Sequence, residues 1–143
     1  MKKITQQEFD ALPVVDGCKQ CPGETYYSAI KRFPERCSFG EWCSFGVGCS
    51  FGVGCSFGEG CSFGVGCSFG ERCSFGERCS FGERCSFGVG CSFGAWCSFG
   101  ERCSFGAWCS FGERCSFGEG CSFEGHKART SNPYIAIDRA GSV

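Results

Sequence analysis

A chain of 143 residues with a formal net charge of −1 is long enough for one domain and carries no field that would draw nucleic acid or an anionic membrane. It has no run of roughly 18 apolar residues, which excludes a membrane-spanning helix. The unusual feature is 17 cysteines beside 17 phenylalanines, and their spacing decides the reading.

The chain starts with positive charge, Met1-Lys2-Lys3, but no apolar core follows, so this is not a signal peptide. Thr5-Gln6-Gln7-Glu8 is a capping-box pattern and Pro13 is a stop. Together they predict a short helix from Gln6 to Leu12 with Phe9 and Leu12 on its apolar side. Pro13 to Gly17 reads as a short extended piece ending in a turn. Cys18-Lys19-Gln20-Cys21 then offers a redox pair or half of a zinc site, and Cys18 and Cys21 are the metal candidates. Zinc needs two further ligands, and no second spaced pair follows outside the repeats, so an ordinary turn is the favoured reading. Residues 1–24 form an N-terminal cap in this scheme. Residues 25–36 are degenerate first repeats: Tyr27 stands six before Phe33, and Lys31 replaces a cysteine. The helix covers an open end whose unpaired backbone groups would otherwise invite end-to-end association.

Residues 37–123 repeat Cys-Ser-Phe-Gly plus two freer positions, fifteen copies without a slip. A period of six fits neither an α-helix nor a plain strand, and Gly, Ser and Cys are poor helix formers. Each Cys-Ser-Phe predicts a three-residue strand with Cys and Phe on one face and Ser on the other. Gly is expected where the chain bends or takes positive φ, and the free pair completes the corner. The result is a parallel β-solenoid, all-β, with coils stacked about 4.8 Å apart, phenyl rings in a ladder and cysteines packed as small reduced hydrophobes. Disulfides between stacked coils are the alternative, because that spacing lies within the Cα–Cα range of the bond.

Read from Phe, the unit Phe39, Gly40, Cys43 and Ser44 resembles the hexapeptide-repeat family, with Phe in place of its large aliphatic residue. The resemblance implies a triangular left-handed β-helix of 18 residues per coil, three copies to a turn. A second, weaker likeness is to pentapeptide-repeat proteins, which have square coils and one residue fewer per copy. At 18 per coil, Arg78, Trp96 and Arg114 share a corner, Val47 lies under Val65 and Glu83 under Glu101; at 12, Trp96 would lie under Trp108. The free pairs leave both periods open, and the family likeness favours 18.

Residues 124–143 read as an exit loop, then a strand at 134–138, and as the start of a truncated or partner-covered C-terminal segment. The opening Thr5-Gln6-Gln7-Glu8-Phe9-Asp10-Ala11-Leu12-Pro13 with the repeats also resembles uncharacterised phage and prophage proteins of enteric bacteria. That likeness implies an origin, with the host cytoplasm or a virion as location, and no particular chemistry. The expected role is a non-enzymatic structural scaffold or binding solenoid with an unidentified protein partner. Self-association through coil ends, no membrane contact and no direct nucleic-acid contact are expected. Three alternatives stand beside this role. A DNA-mimic inhibitor would want an acidic stripe, but Arg72, Arg78, Arg84, Arg102 and Arg114 balance the glutamates. An acyltransferase of hexapeptide type needs a base such as His, and the single His, His126, lies outside the repeats. The outward Ser ladder motivates an ice or polysaccharide binder. No residue is assigned a catalytic or cofactor-binding role, since no Gly-rich phosphate loop opens a helix. The candidate contact surface is Trp42, Trp96 and Trp108.

Overall fold

Successive copies of the repeat place one short strand on each of three sides in turn. A computed structural model describes residues 1–124 and, as backbone, 129–130. The strands are β1 (Lys2–Lys3), β2 (Val14–Val15), β3 (Cys18–Cys21), β4 (Thr25–Tyr26), β5 (Arg32–Phe33) and β6 (Cys37–Phe39). One Ser-Phe strand per copy follows, from β7 (Ser44–Phe45) to β20 (Ser122–Phe123), and then β21 (Arg129–Thr130). These are two-residue strands, shorter than the Cys-Ser-Phe expected, because Cys and Gly flank the two-residue corner and only Ser and Phe are paired in register with the adjoining coils. Every pairing in the repeats is parallel with an 18-residue register, as in Ser44↔Ser62↔Ser80. Three sheets of seven, six and eight strands result. The protein is an all-β parallel solenoid with three sides per coil, and Trp96 follows Arg78 at one corner rather than lying under Trp108.

Phe and Cys face inward and Ser outward. Phe45, Phe63 and Phe81 stack with centroids 4.8 Å apart and planes within 2°. Rings on different sides meet edge to face, as Phe57 and Phe63 do at 5.0 Å and 85°. This herringbone relieves the crowding that phenyl groups would cause in a triangular core, since each ring presents its positive edge to a neighbour's negative face. Such pairs contribute about 0.5–1.5 kcal/mol each beyond burial.

The repeat glycines do a different job from the one expected. At Gly64 an added Cβ would lie 2.9 Å from the backbone of Gly46 and Val47 in the coil below. The motif Gly therefore permits close backbone approach between coils. Positive φ falls instead on the second free residue, whether it is Gly66 (φ 73°), Arg78 (φ 60°) or Trp96 (φ 66°).

The first coil is closed by α1 (Gln6–Asp10), whose Thr5–Glu8 capping box is formed. The helix ends short of the expected Leu12, with Ala11 as its C-cap, and Leu12 still packs against the core. Phe9 is buried and meets Phe33 edge-on at 5.3 Å and 88°. The Lys19 ammonium donates to the Phe9 carbonyl (3.0 Å) at the helix C-terminus, where a cation complements the dipole. Asp16 (φ 51°) and Gly17 (φ 81°) form the two-residue turn that folds β2 antiparallel onto β3. Strand β1 was not foreseen; Lys-Lys carries no strand signal, and burial of Ile4 beside it holds it on β4. His126 and residues 131–143, with the strand expected at 134–138, lie outside the described residues. Within the exit segment, β21 adds to the third sheet with Arg129 opposite Ser110, one residue beyond the 18-residue register.

Candidate functional site

Two sets of side chains recur along the rod: the corner residues outside and the thiols inside. The corner at Trp42, Gly60, Arg78, Trp96 and Arg114 is the richest. A Cβ on Gly60 would lie 2.4 Å from Trp42 Cε3, so the indole lies across that glycine. Arg78 is paired with Glu77 (3.5 Å) and diagonally with Glu59 (3.7 Å). The Arg114 guanidinium stands 5.2 Å from the Trp96 ring, the cation–π contact that an 18-residue coil predicts. Trp42 and Trp96 therefore share a corner, while Trp108 stands on another with Arg36 and Arg72. Each tryptophan is about half exposed. The columns of like charge at Glu83 and Glu101 are relieved mainly within each pair, by Arg84 and Arg102 at 3.7 Å. Exposed pairs of this kind contribute about 0–1 kcal/mol.

Left-handed backbone costs a residue with a Cβ about 1–2 kcal/mol. Six corners of the repeat use Gly there and lose nothing sterically: Gly48, Gly54, Gly60, Gly66, Gly90 and Gly120. The Arg and Trp corners carry that cost on exposed side chains which add little to the core.

Cys18 and Cys21 lie on strand β3, not in a turn, because the segment is drawn into register with β6. Three positions apart on a strand, they face opposite ways. Cys18 is partly exposed; Cys21 is buried in the slot opposite Phe39 and its thiol donates to the Lys19 carbonyl (3.7 Å). The structure does not bring them together.

The repeat cysteines are free thiols, arranged in three columns. One runs Cys37, Cys55, Cys73, Cys91, Cys109; the next Cys43, Cys61, Cys79, Cys97, Cys115; the third Cys49, Cys67, Cys85, Cys103, Cys121. Each is buried. A typical thiol, that of Cys79, donates to the Gly58 carbonyl in the coil below (3.4 Å). Neighbouring thiols drive their partners in opposite directions: Cys43 and Cys49, each beside one thiol and desolvated, are pushed well above the ordinary thiol value, and Cys61 and Cys67, each between two thiols, are held well below it. Sequence reading had placed these cysteines inside but missed the sulfur-to-carbonyl bonds, which depend on the offset between coils.

The sequence pattern of the RNA-binding, Nab2-type zinc finger family matches residues 31–46, 49–64, 61–76, 66–82, 73–88, 84–100, 91–106, 102–118 and 108–123. No curated protein and no solved structure matches. The matched segments overlap, and Cys73 falls in three of them. Tetrahedral zinc needs four donors converging on one point. Here each column thiol has sulfur neighbours only above and below, no His lies in a matched segment, and no group of three or more metal-binding side chains converges among the described residues. The residues present do not fit zinc. Nor is the hexapeptide-repeat family the one matched, although the 18-residue coil of three copies that its likeness implied is observed.

Proposed function

By sequence match this chain belongs to the RNA-binding, Nab2-type zinc finger family, and we propose that it works as a non-enzymatic binding rod rather than as a string of metal-bound fingers. The observation that carries this reading is the unbroken 18-residue register on a ring-packed core. It holds outward side chains at fixed height and bearing, which is what spacing or presenting a partner requires. The contact surface proposed is the corner of Trp42, Arg78, Trp96 and Arg114, since Trp and Arg dominate binding energy in protein interfaces. A protein partner in a phage or prophage setting, in the host cytoplasm or a virion, suits this reading. Deleting residues 73–90, one full coil, tests it. The rod should shorten by about 4.8 Å in solution scattering and keep its fold. Loss of the fold on removing one interior coil overturns the reading.

The family match favours a second reading, in which RNA is the partner. Bases stack on exposed Trp and Arg meets phosphate, in general terms. The adjoining column of Glu41, Glu59, Glu77 and Glu113 opposes it. A gel-shift titration with single-stranded RNA at low salt decides: a shift lost in Trp42→Gly and Arg114→Gly supports RNA binding, and no shift removes it. Gly is the right replacement, because it keeps the left-handed corner.

A further inference from the structure

The thiol columns are the most repeated chemistry in the molecule, and the proposed function leaves them unused. Their geometry follows from the coil repeat. Phe45, Phe63 and Phe81 are 4.8 Å apart with planes within 2°, so neighbouring coils are related by almost pure translation. The thiols keep one orientation: Cys61, Cys79 and Cys97 donate to the carbonyls of Gly40, Gly58 and Gly76 at 3.5, 3.4 and 3.4 Å. Successive sulfurs in a column therefore stand about 4.8 Å apart on a line parallel to the rod. Their Cβ atoms, equally far apart, lie outside the roughly 3.5–4.5 Å that a disulfide spans. Two metal–sulfur bonds of about 2.3 Å placed end to end do match the gap.

A column thus supplies sulfurs in line, each turned the same way.

We propose that vertically adjacent column cysteines bind a soft monovalent cation of the copper(I) and silver(I) class, in linear two-sulfur coordination. Soft thiolates select such ions, and a line of donors suits two-coordinate geometry where it fails tetrahedral zinc. Each ion replaces two thiol protons, which leave to solvent; a bis-thiolate of net charge −1 forms and no electron is transferred. A sulfur that serves one ion is not shared with the next, so ions occupy alternate gaps, with at most one ion to two thiols. Because the folded columns are sealed from solvent, loading accompanies folding.

The test uses Cys18→Ser protein, refolded anaerobically from denaturant with silver(I) nitrate in chloride-free buffer. Native mass spectrometry should show bound silver with two protons lost per ion. X-ray absorption should show a shell of two sulfurs, and circular dichroism the same β-solenoid as without silver. Position gives the sharpest arm. In the column from Cys43 to Cys115, Cys79→Ala leaves two intact pairs, Cys43–Cys61 and Cys97–Cys115, so capacity is unchanged. Cys61→Ala strands Cys43 and removes one ion. Either variant that fails to fold without silver is replaced by the corresponding Ser variant. Equal losses in the two variants, a shell of three or four sulfurs, no bound silver, or silver bound only to unfolded chain overturns the proposal.

Discussion

Residues 18–36 of the cap region and residues 37–123 keep one 18-residue register with different side chains in it. In the repeats every inward slot is Cys or Phe. In the cap, Lys19 stands opposite Cys37, Tyr26 opposite Ser44 puts Tyr27 in a Phe slot, and Cys21 stands opposite Phe39. Tyr27 stacks on Phe45 at 5.2 Å and 12°, as a Phe would, and its hydroxyl donates to the Pro22 carbonyl (2.6 Å). Backbone stacking thus sets the register, and ring packing then limits what can fill it. The limit relaxes where helix α1 replaces a coil, because Phe9 and Lys19 bring their own partners.

The comparison can be broken most severely inside the body. Phe63 touches stacked rings above and below and edge-on rings on the other two sides. Phe63→Ala should cost about 3–5 kcal/mol in denaturant unfolding. Phe9→Ala, with edge contacts on Tyr27 and Phe33 and the Lys19 ammonium 5.0 Å from its ring centre, should fall at or below the lower end of that range. Next come the glycines. Gly64→Ala meets fixed backbone at 2.9 Å and should lose about 1–3 kcal/mol. Gly46→Ala meets the Lys31 ammonium at 3.2 Å, a flexible end that swings aside, and should cost clearly less. Equal losses at the two glycines would mean that coil spacing, not local contact, is what glycine protects.

Smaller effects sharpen the outer edge of the comparison. Arg72→Gly should raise stability by about 0.5–1 kcal/mol: the relief of left-handed strain exceeds the added chain entropy, and its pairing with Glu71 at 4.0 Å is weak. At the cap, the Lys2 ammonium and the Thr5 amide hold the Glu8 carboxyl down, from 4.5 to about 2. A carboxyl lowered on folding stabilises above its ordinary value, and that part is lost as pH falls from about 4.5 toward 2. The Glu8 carboxylate is exposed, so the effect on global stability is slight; an NMR titration of Glu8 with and without Lys2→Ala reads it directly.

Most of the body was legible because one motif recurs with a fixed period, and alternation alone sends Cys and Phe inward. The coil length was not decided by composition; the family likeness favoured 18, and the register bears it out. Glycine was misassigned because sequence shows where Gly stands, not whether backbone approach or dihedral sign requires it. In Cys-Ser-Phe-Gly the requirement is approach, while the dihedral demand falls on Arg and Trp, residues that signal no turn. Strand β1 was invisible for a related reason, since its partner lies across the chain at Thr25 and Tyr26. Of the candidate contact residues, the sequence named Trp42, Trp96 and Trp108, and only the three-sided coil separates Trp108 from the other two.

All three walls are copies of one another, and this has a genetic consequence. Gain or loss of a single six-residue copy leaves the interior uninterrupted yet rotates everything downstream by a third of a turn. Unequal recombination within such a gene would then re-aim the distal surface without unfolding the protein, whereas three copies at once would change its length alone.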